Sequence, residues 1–272
     1  MKKHFKMLMT AMMLFVALMM VGCQPEDDPQ NGGGDNNGGD NGGNNHTEGI
    51  INGHAYVDLG LPSGTLWATC NVGAARPEEY GEYYAWGETK TKDTYHDFNY
   101  HFGSSYVYHM LDHDDLSTMV KYCDDPNYGW LGFTDSLTIL EPVDDVASAL
   151  WGGGWRIPSP EEFRELFTNC NWTVTTQQGV RGLKVTASNG NSVFFPAAGF
   201  MQFQFVFSLE DGKGFYWMNE TFWNDCREAW SLYFDPSIEP FSWSPNTEGI
   251  LFHNEPRYSG FSARPVHAAI ND

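Results

Sequence analysis

The chain has 272 residues, with 15 Lys+Arg against 35 Asp+Glu and a formal charge of −20 at pH 7. A surface this acidic makes nucleic acid and anionic lipid poor partners. Ten Trp, 13 Tyr and 19 Phe are a high aromatic load, which points to an α+β fold of short strands and long loops rather than a helical bundle.

Residues 1–22 read as an export signal. Lys2, Lys3 and Lys6 precede an apolar run, residues 7–21, too short and too badly flanked to span a membrane as a helix. The run ends Met20-Val21-Gly22-Cys23, which resembles the bacterial lipobox, so Cys23 is the expected lipidation site; an ordinary cleaved secretory signal is the alternative. Buried acyl chains contribute about 0.8 kcal/mol per methylene, enough to hold the protein on a membrane. Loss of the three signal lysines takes the formal charge from −20 to −23.

Residues 23–49 form an expected acidic, disordered tether. Gln24-Pro25-Glu26-Asp27-Asp28 resembles the tag with which Bacteroides-like bacteria export lipoproteins to the outer face of the outer membrane. "QNGGGDNNGGDNGGNN", residues 30–45, has no apolar side chain with which to offset the entropy of ordering. As a coil the tether spans about 28 Å root-mean-square, and about 90 Å stretched. The expected address is the outer membrane, lipid-anchored and facing the exterior.

In the globular part, residues 56–59 and 65–69 read as strands about a Leu61-Pro62-Ser63-Gly64 turn. Tyr84 and Trp86 alternate toward one face of "YGEYYAWGE". Residues 91–140 are weakly periodic and read as loops with at most one short helix. The strongest signal is "WGGGWRIPSPEEFRELFTNCNW". Ser159 is an N-cap, Pro160 opens the helix and Glu162 completes a capping box, while Phe163, Leu166, Phe167 and Cys170 form one apolar stripe. A hairpin follows: one arm at 183–187, a type I′ turn at Asn189-Gly190 and a return at 193–195. Residues 215–217, 229–234 and 260–266 read as three late strands.

Cys70, Cys123, Cys170 and Cys226 allow two disulfides in three connectivities, or buried thiols. No CxxC pair is present to make a thiol redox site or zinc knuckle.

Taken in order, "YVDLGLPSGTLWATCNVGA", "EEYGEYYAWGET", "LEPVDDVASALWGGGWRIPSPEEFRELFTNCNW", "GLKVTASNGNSVFFPAAGF", "YWMNE", "AWSLYF" and "GFSARPV" resemble the Fibrobacter succinogenes major paralogous domain, over residues 50–267, with 268–272 as a tail. The resemblance implies a surface or secreted domain of unknown biochemical function. It also implies a single α+β domain of twisted antiparallel strands, one firm helix and long loops, similar to the C-type-lectin-like and formylglycine-generating-enzyme-like folds. It supplies no catalytic residues. The chain departs from the family pattern at Met218-Asn219-Glu220 and carries an insertion at 222–228.

That insertion holds Trp223-Asn224-Asp225, a tripeptide which in calcium-dependent lectins helps an ion grip sugar hydroxyls. Six to eight oxygens must converge on calcium, and the partner Glu-Pro-Asn or Gln-Pro-Asp loop is missing upstream. No cofactor is therefore expected. The alternatives are calcium at that tripeptide, or a transition ion clamped by His109 and His113 at helical i, i+4 spacing in "YVYHMLDHDD". Trp217, Phe222, Trp223 and Trp243, or Tyr80, Tyr83, Tyr84 and Trp86, offer rings for stacking on sugars, although in a loop-rich fold most such rings fill the core. Asp135-Ser136-Leu137 resembles a bacterial O-glycosylation acceptor, with Ser136 modified. No nucleophile elbow, phosphate loop or dinucleotide glycine pattern is present. Cys226 lacks a close cysteine partner in sequence for formylglycine chemistry. The sequence thus reads as a non-enzymatic module that binds glycan or surface protein, or else as a structural or adhesion subunit of a surface assembly.

Overall fold

The computed structural model describes residues 48–103, 118–235 and 252–270. The expected signal and tether up to residue 47, including Cys23, lie outside them, as do His109, His113, Trp243 and the last two residues. All described residues fall within one compact unit.

Among the described residues, mostly antiparallel strands form four small sheets, with few helices. Strands β1 (Glu48–Ile51), β2 (His54–Asp58), β3 (Leu66–Ala68) and β12 (Val266–His267) make one sheet in the order β1-β2-β3-β12. Helices α1 (Val146–Trp151) and α2 (Pro160–Asn169) lead into a meander of β4 (Cys170–Gln177), β5 (Val180–Ala187) and β6 (Ser192–Pro196). The hairpin β7 (Phe200–Gln202) and β8 (Phe205–Phe207) follows. The last sheet orders β11 (Phe252–Pro256), β10 (Asp225–Phe234) and β9 (Gly214–Phe222).

Helix α2 forms as its sequence requires. Ser159 Oγ accepts from Glu162 N at 3.2 Å, and Glu162 Oε2 accepts from Ser159 N at 2.8 Å. Phe163, Leu166 and Phe167 are buried. The helix stops one residue short of the expected Cys170, which is extended at φ −127° and opens β4. Strand periodicity, not helical periodicity, therefore governs that half-buried thiol.

The expected hairpin is present, but its turn differs. Gly190 N donates to Ala187 O, and Ala187 N to Asn191 O. Gly190 has φ 89° while Asn189 is not in the left-handed region. A type I′ turn needs both, so this is a longer loop with glycine at the bulge. The I′ geometry sits instead between β4 and β5, at Gln178 (φ 48°) and Gly179 (φ 85°). Strand β4 itself was not read from the sequence.

The expected strand at 260–266 is reduced to β12. Tyr84–Phe261, Met201–Gly260, Tyr216–Ser262 and Arg156–Val266 pair as isolated bridges to four different segments, so no ladder can propagate.

Strand β9 divides two cores. Its pleat sends Phe215 and Trp217 into a cluster with Trp86, Tyr122, Trp155 and Phe261. Tyr216 and Met218 enter the other, with Trp67, Phe163, Phe195 and Leu232. Each fully buried apolar side chain contributes about 1.5–3 kcal/mol.

Two fully buried arginines join the irregular segments to these cores. Arg257 donates to Tyr100 Oη (2.8 Å) and to the carbonyls of Tyr122 (3.1 Å), Cys226 (2.8 Å) and Lys121 (3.2 Å). Arg264 donates to Asn71 Oδ1 (2.8 Å) and to the carbonyls of Ala68, Thr69 and Phe194. Loops this long would otherwise bury unpaired carbonyls, each costing about 1–3 kcal/mol.

Candidate functional site

Strands β9 and β10 meet at a two-residue turn, Trp223-Asn224, with Phe222 paired to Asp225. Neither turn residue has positive φ. Turns of that kind splay the strands they join, and the ladder here breaks at once. The next pairing is Ala229 with Thr221, which leaves residues 226–228 as a bulge. The bulge turns Cys226 inward, and Cys226 is joined to Cys123 by a disulfide. Cys70 and Cys170 remain thiols, so one bridge forms rather than two. Burial pushes the Cys170 thiol up to about 11.

The stapled tip holds Trp223 in solvent at 69% exposure. Asn224 beside it is also exposed. Asp225 is engaged within the protein. Its Oδ1 accepts from Arg227 N and Nε at 2.9 Å, and its Oδ2 from Nη2 at 2.7 Å. Arg227 in turn lies 4.4 Å over the Tyr128 ring. A calcium ion at this tripeptide would have to displace that guanidinium from a carboxylate it already satisfies.

Trp217 does not share the surface expected for it. It is 2% exposed, stacks on Phe261 at 4.2 Å and donates from Nε1 to Tyr84 O at 2.7 Å. The strand pleat explains this, because odd-numbered residues of that stretch face the first core. Tyr84 and Trp86 are buried too, and Trp86 Nε1 donates to Met218 O. Tyr83 donates to Ala198 O, and burial pushes its hydroxyl up to about 12.

Phe222 and Trp223 instead begin a surface ridge. Their rings lie 5.3 Å apart; Phe222 meets Trp230 edge-on at 4.9 Å, and Trp230 meets Phe252 at 6.4 Å. Arg164 of α2 lies 5.2 Å over Phe252 and binds Glu161 at 2.7 Å. Glu220 adjoins this ion pair. Burial, then the Glu161 charge, raise its carboxyl above the ordinary range, with Arg164 opposing. The ridge therefore offers rings for stacking with carboxylates and a guanidinium for hydroxyl hydrogen bonds.

Ser136 is exposed at φ 57°. Its neighbour Asp135 accepts from the backbone N–H of Tyr122, Cys123 and Leu137 and so fixes the loop. Asp144 accepts from Lys121 and Tyr122 Oη, each at 2.6 Å, whereas Asp145 caps α1. These adjacent carboxylates serve separate structural networks. Among the described residues, no group of three or more His, Cys, Asp or Glu is gathered to hold a metal ion.

A second exposed apolar feature lies on the β7–β8 hairpin, outside the residues singled out from the sequence. Phe203 (52%), Phe205 (56%), Val206 (41%) and Phe207 (40%) face solvent on the β7–β8 hairpin. Phe203 has φ 52°, rare for a bulky residue, and is held there by reciprocal backbone hydrogen bonds with Tyr95. The signal was the run "FMQFQFVF", four phenylalanines in eight residues.

No family model matches this chain, and no curated protein and no solved structure matches it.

Proposed function

We propose that this chain is a non-catalytic binding module of the bacterial cell surface, anchored in the outer membrane through Cys23, that engages glycan through the tip of the β9–β10 hairpin. The supporting observation is Trp223, 69% exposed on a turn stapled by Cys123–Cys226. A large apolar ring held in water by a disulfide costs solvation unless a ligand covers it, and the apolar face of a sugar suits such a ring. On this reading the scaffold is C-type-lectin-like, of the Fibrobacter succinogenes major paralogous domain type, and its ligand contact needs no calcium because Arg227 already occupies Asp225.

The test is a broad glycan array with the full chain and its Trp223→Ala variant, each run with calcium and with chelator. Binding that survives chelation and is lost in the variant is expected. Calcium-dependent binding would overturn the metal-free contact, and binding untouched by Trp223→Ala would overturn the site.

The β7–β8 hairpin favours a second reading, a structural or adhesion subunit with a protein partner. Exposed edge strands with this apolar content invite pairing with another chain. Co-purification of a stable partner that is lost on Phe205→Ser together with Phe207→Ser would select it.

A further inference from the structure

A cleft of about 490 Å³ lies on the loop that follows Trp86, and none of the exposed rings of the β9–β10 tip or the β7–β8 hairpin lines it. Its wall is the stretch 87–92, "GETKTK". Gly87 turns at φ 78°, where a Cβ would meet Phe102 at 2.6 Å.

The side chains around this cleft divide into those already committed and those not. Glu88 accepts from His101 N at 2.7 Å and from Lys92 Nζ at 3.0 Å. Lys92 spends its remaining donors on Asn99 O and Oδ1. Asp144 is held by Lys121 and Tyr122. Every carboxylate lining the cleft is thus satisfied by the protein itself. What remains is Lys90, the ring of His101 and the hydroxyls of Thr89 and Thr91, none with a hydrogen-bond partner among the described residues. In a chain of charge −20, where most described cations are paired or buried, Lys90 has no ion-pair partner among the described residues.

We infer that this cleft binds a single anionic, hydroxyl-rich ring, the acidic residue of a saccharide, with Lys90 meeting the carboxylate or sulfate. Thr89 and Thr91 meet ring hydroxyls, and His101 donates or accepts beside them. The volume exceeds a bare inorganic anion. One free ammonium balances one charge, not the several of a nucleotide phosphate, and the acidic surface repels polyanions. A charge-assisted contact is roughly twice as strong as a neutral one, so the anion dominates selectivity. The inference extends the glycan-binding reading to a second site on different residues.

The test is calorimetric titration of the full chain with a glucuronate-containing disaccharide, its sulfated counterpart and its neutral counterpart. At least tenfold tighter binding of an acidic disaccharide is expected, weakening as salt is raised. Lys90→Ala should abolish that preference and Lys90→Arg retain it. Lys184→Ala, which removes an exposed lysine on β5, should leave it unchanged. Which of the two acids binds identifies the anion as carboxylate or sulfate. Equal binding of the neutral sugar, no binding of either acid, or equal loss in Lys90→Ala and Lys184→Ala overturns the inference. Trp223→Ala should leave this binding intact, so failure here and failure of the hairpin site are distinguishable.

Discussion

Cys123 and Cys226 are bonded across 103 residues of sequence, and the second of them lies in the β10 bulge that follows the Trp223-Asn224 turn. The loop at 222–228 is therefore not passive. It creates the β10 bulge, delivers a half-cystine to the segment after residue 118 and leaves Trp223 at the apex. Arg257 reinforces the junction by donating to the carbonyls of both Cys226 and Tyr122.

Closing a loop of this length removes much denatured-state freedom. The chain-entropy estimate is about 4.7 kcal/mol for a loop of about 100 residues, and measured losses in small domains run about 2–5 kcal/mol. Cys123→Ser with Cys226→Ser should lower stability by about that amount in urea unfolding. Reducing the wild type should have the same effect, while the Cys70→Ser change should not reproduce it.

A second prediction concerns Glu162, which is 9% exposed and serves three partners at once. It receives two hydrogen bonds from Arg156 at 2.7 Å, one from Ser159 N and one from Thr65 Oγ1. Burial pushes its carboxyl up, but Arg156, Ser159 and Thr65 outweigh burial and hold it below the ordinary range. Glu162→Ala loses the cap and strands these donors, costing about 2–4 kcal/mol by denaturant midpoint. Glu162→Gln, which keeps the shape and one acceptor, should cost about half as much. Equal effects of the two would mean that the charge, not the hydrogen-bond geometry, carries the interaction.

The neighbouring helix cap has the opposite pH behaviour. Burial pushes the Asp145 carboxyl from 3.8 up to about 6, against the backbone N–H groups of Ser148, Ile157 and Ala147. The folded state holds this proton more tightly than the unfolded state. Its stabilising contribution is therefore complete below the unfolded value and disappears as pH rises through about 6. Glu162 runs the other way: its contribution is present above 4.5 and fades as pH falls. The stability difference between wild type and Asp145→Asn should thus move against the wild type by up to about 3 kcal/mol from about pH 4 to about pH 7. A difference that stays constant, or moves in the wild type's favour, would show that the backbone donors outweigh burial.

Local grammar was legible and long-range pairing was not. Ser159, Pro160 and Glu162 announce α2 because cap and ladder lie within four residues of one another. Strand β9 was readable in type, but the burial of Trp217 depends on α2 and on Phe261 packing from opposite sides of the strand. Nothing near Trp217 in sequence carries that information. The stretch 260–266 reads as a strand because its residues favour one, yet its partners come from four segments. The exposed hairpin at 200–207 escaped because a phenylalanine-rich run reads as core, and the left-handed backbone at Phe203 arises from its bonds to Tyr95, more than a hundred residues upstream. Around the tip, the sequence left calcium at Asp225 only as an alternative, and the Arg227 that holds this carboxylate lies two residues on but was not read as its partner.

That last relationship sets the final prediction. If Asp225 orders the tip through Arg227, and Trp223 supplies the contact, the two should separate experimentally. Trp223→Ala should abolish glycan binding with little change in stability, because a ring 69% exposed has little burial to lose. Asp225→Asn should weaken the bidentate pair to Arg227 and free the guanidinium from its place over Tyr128, lowering affinity by about three- to tenfold through a looser turn. Adding calcium should restore nothing in that variant. Binding that calcium tightens in the wild type but not in Asp225→Asn would instead make Asp225 an ion ligand and Arg227 its placeholder.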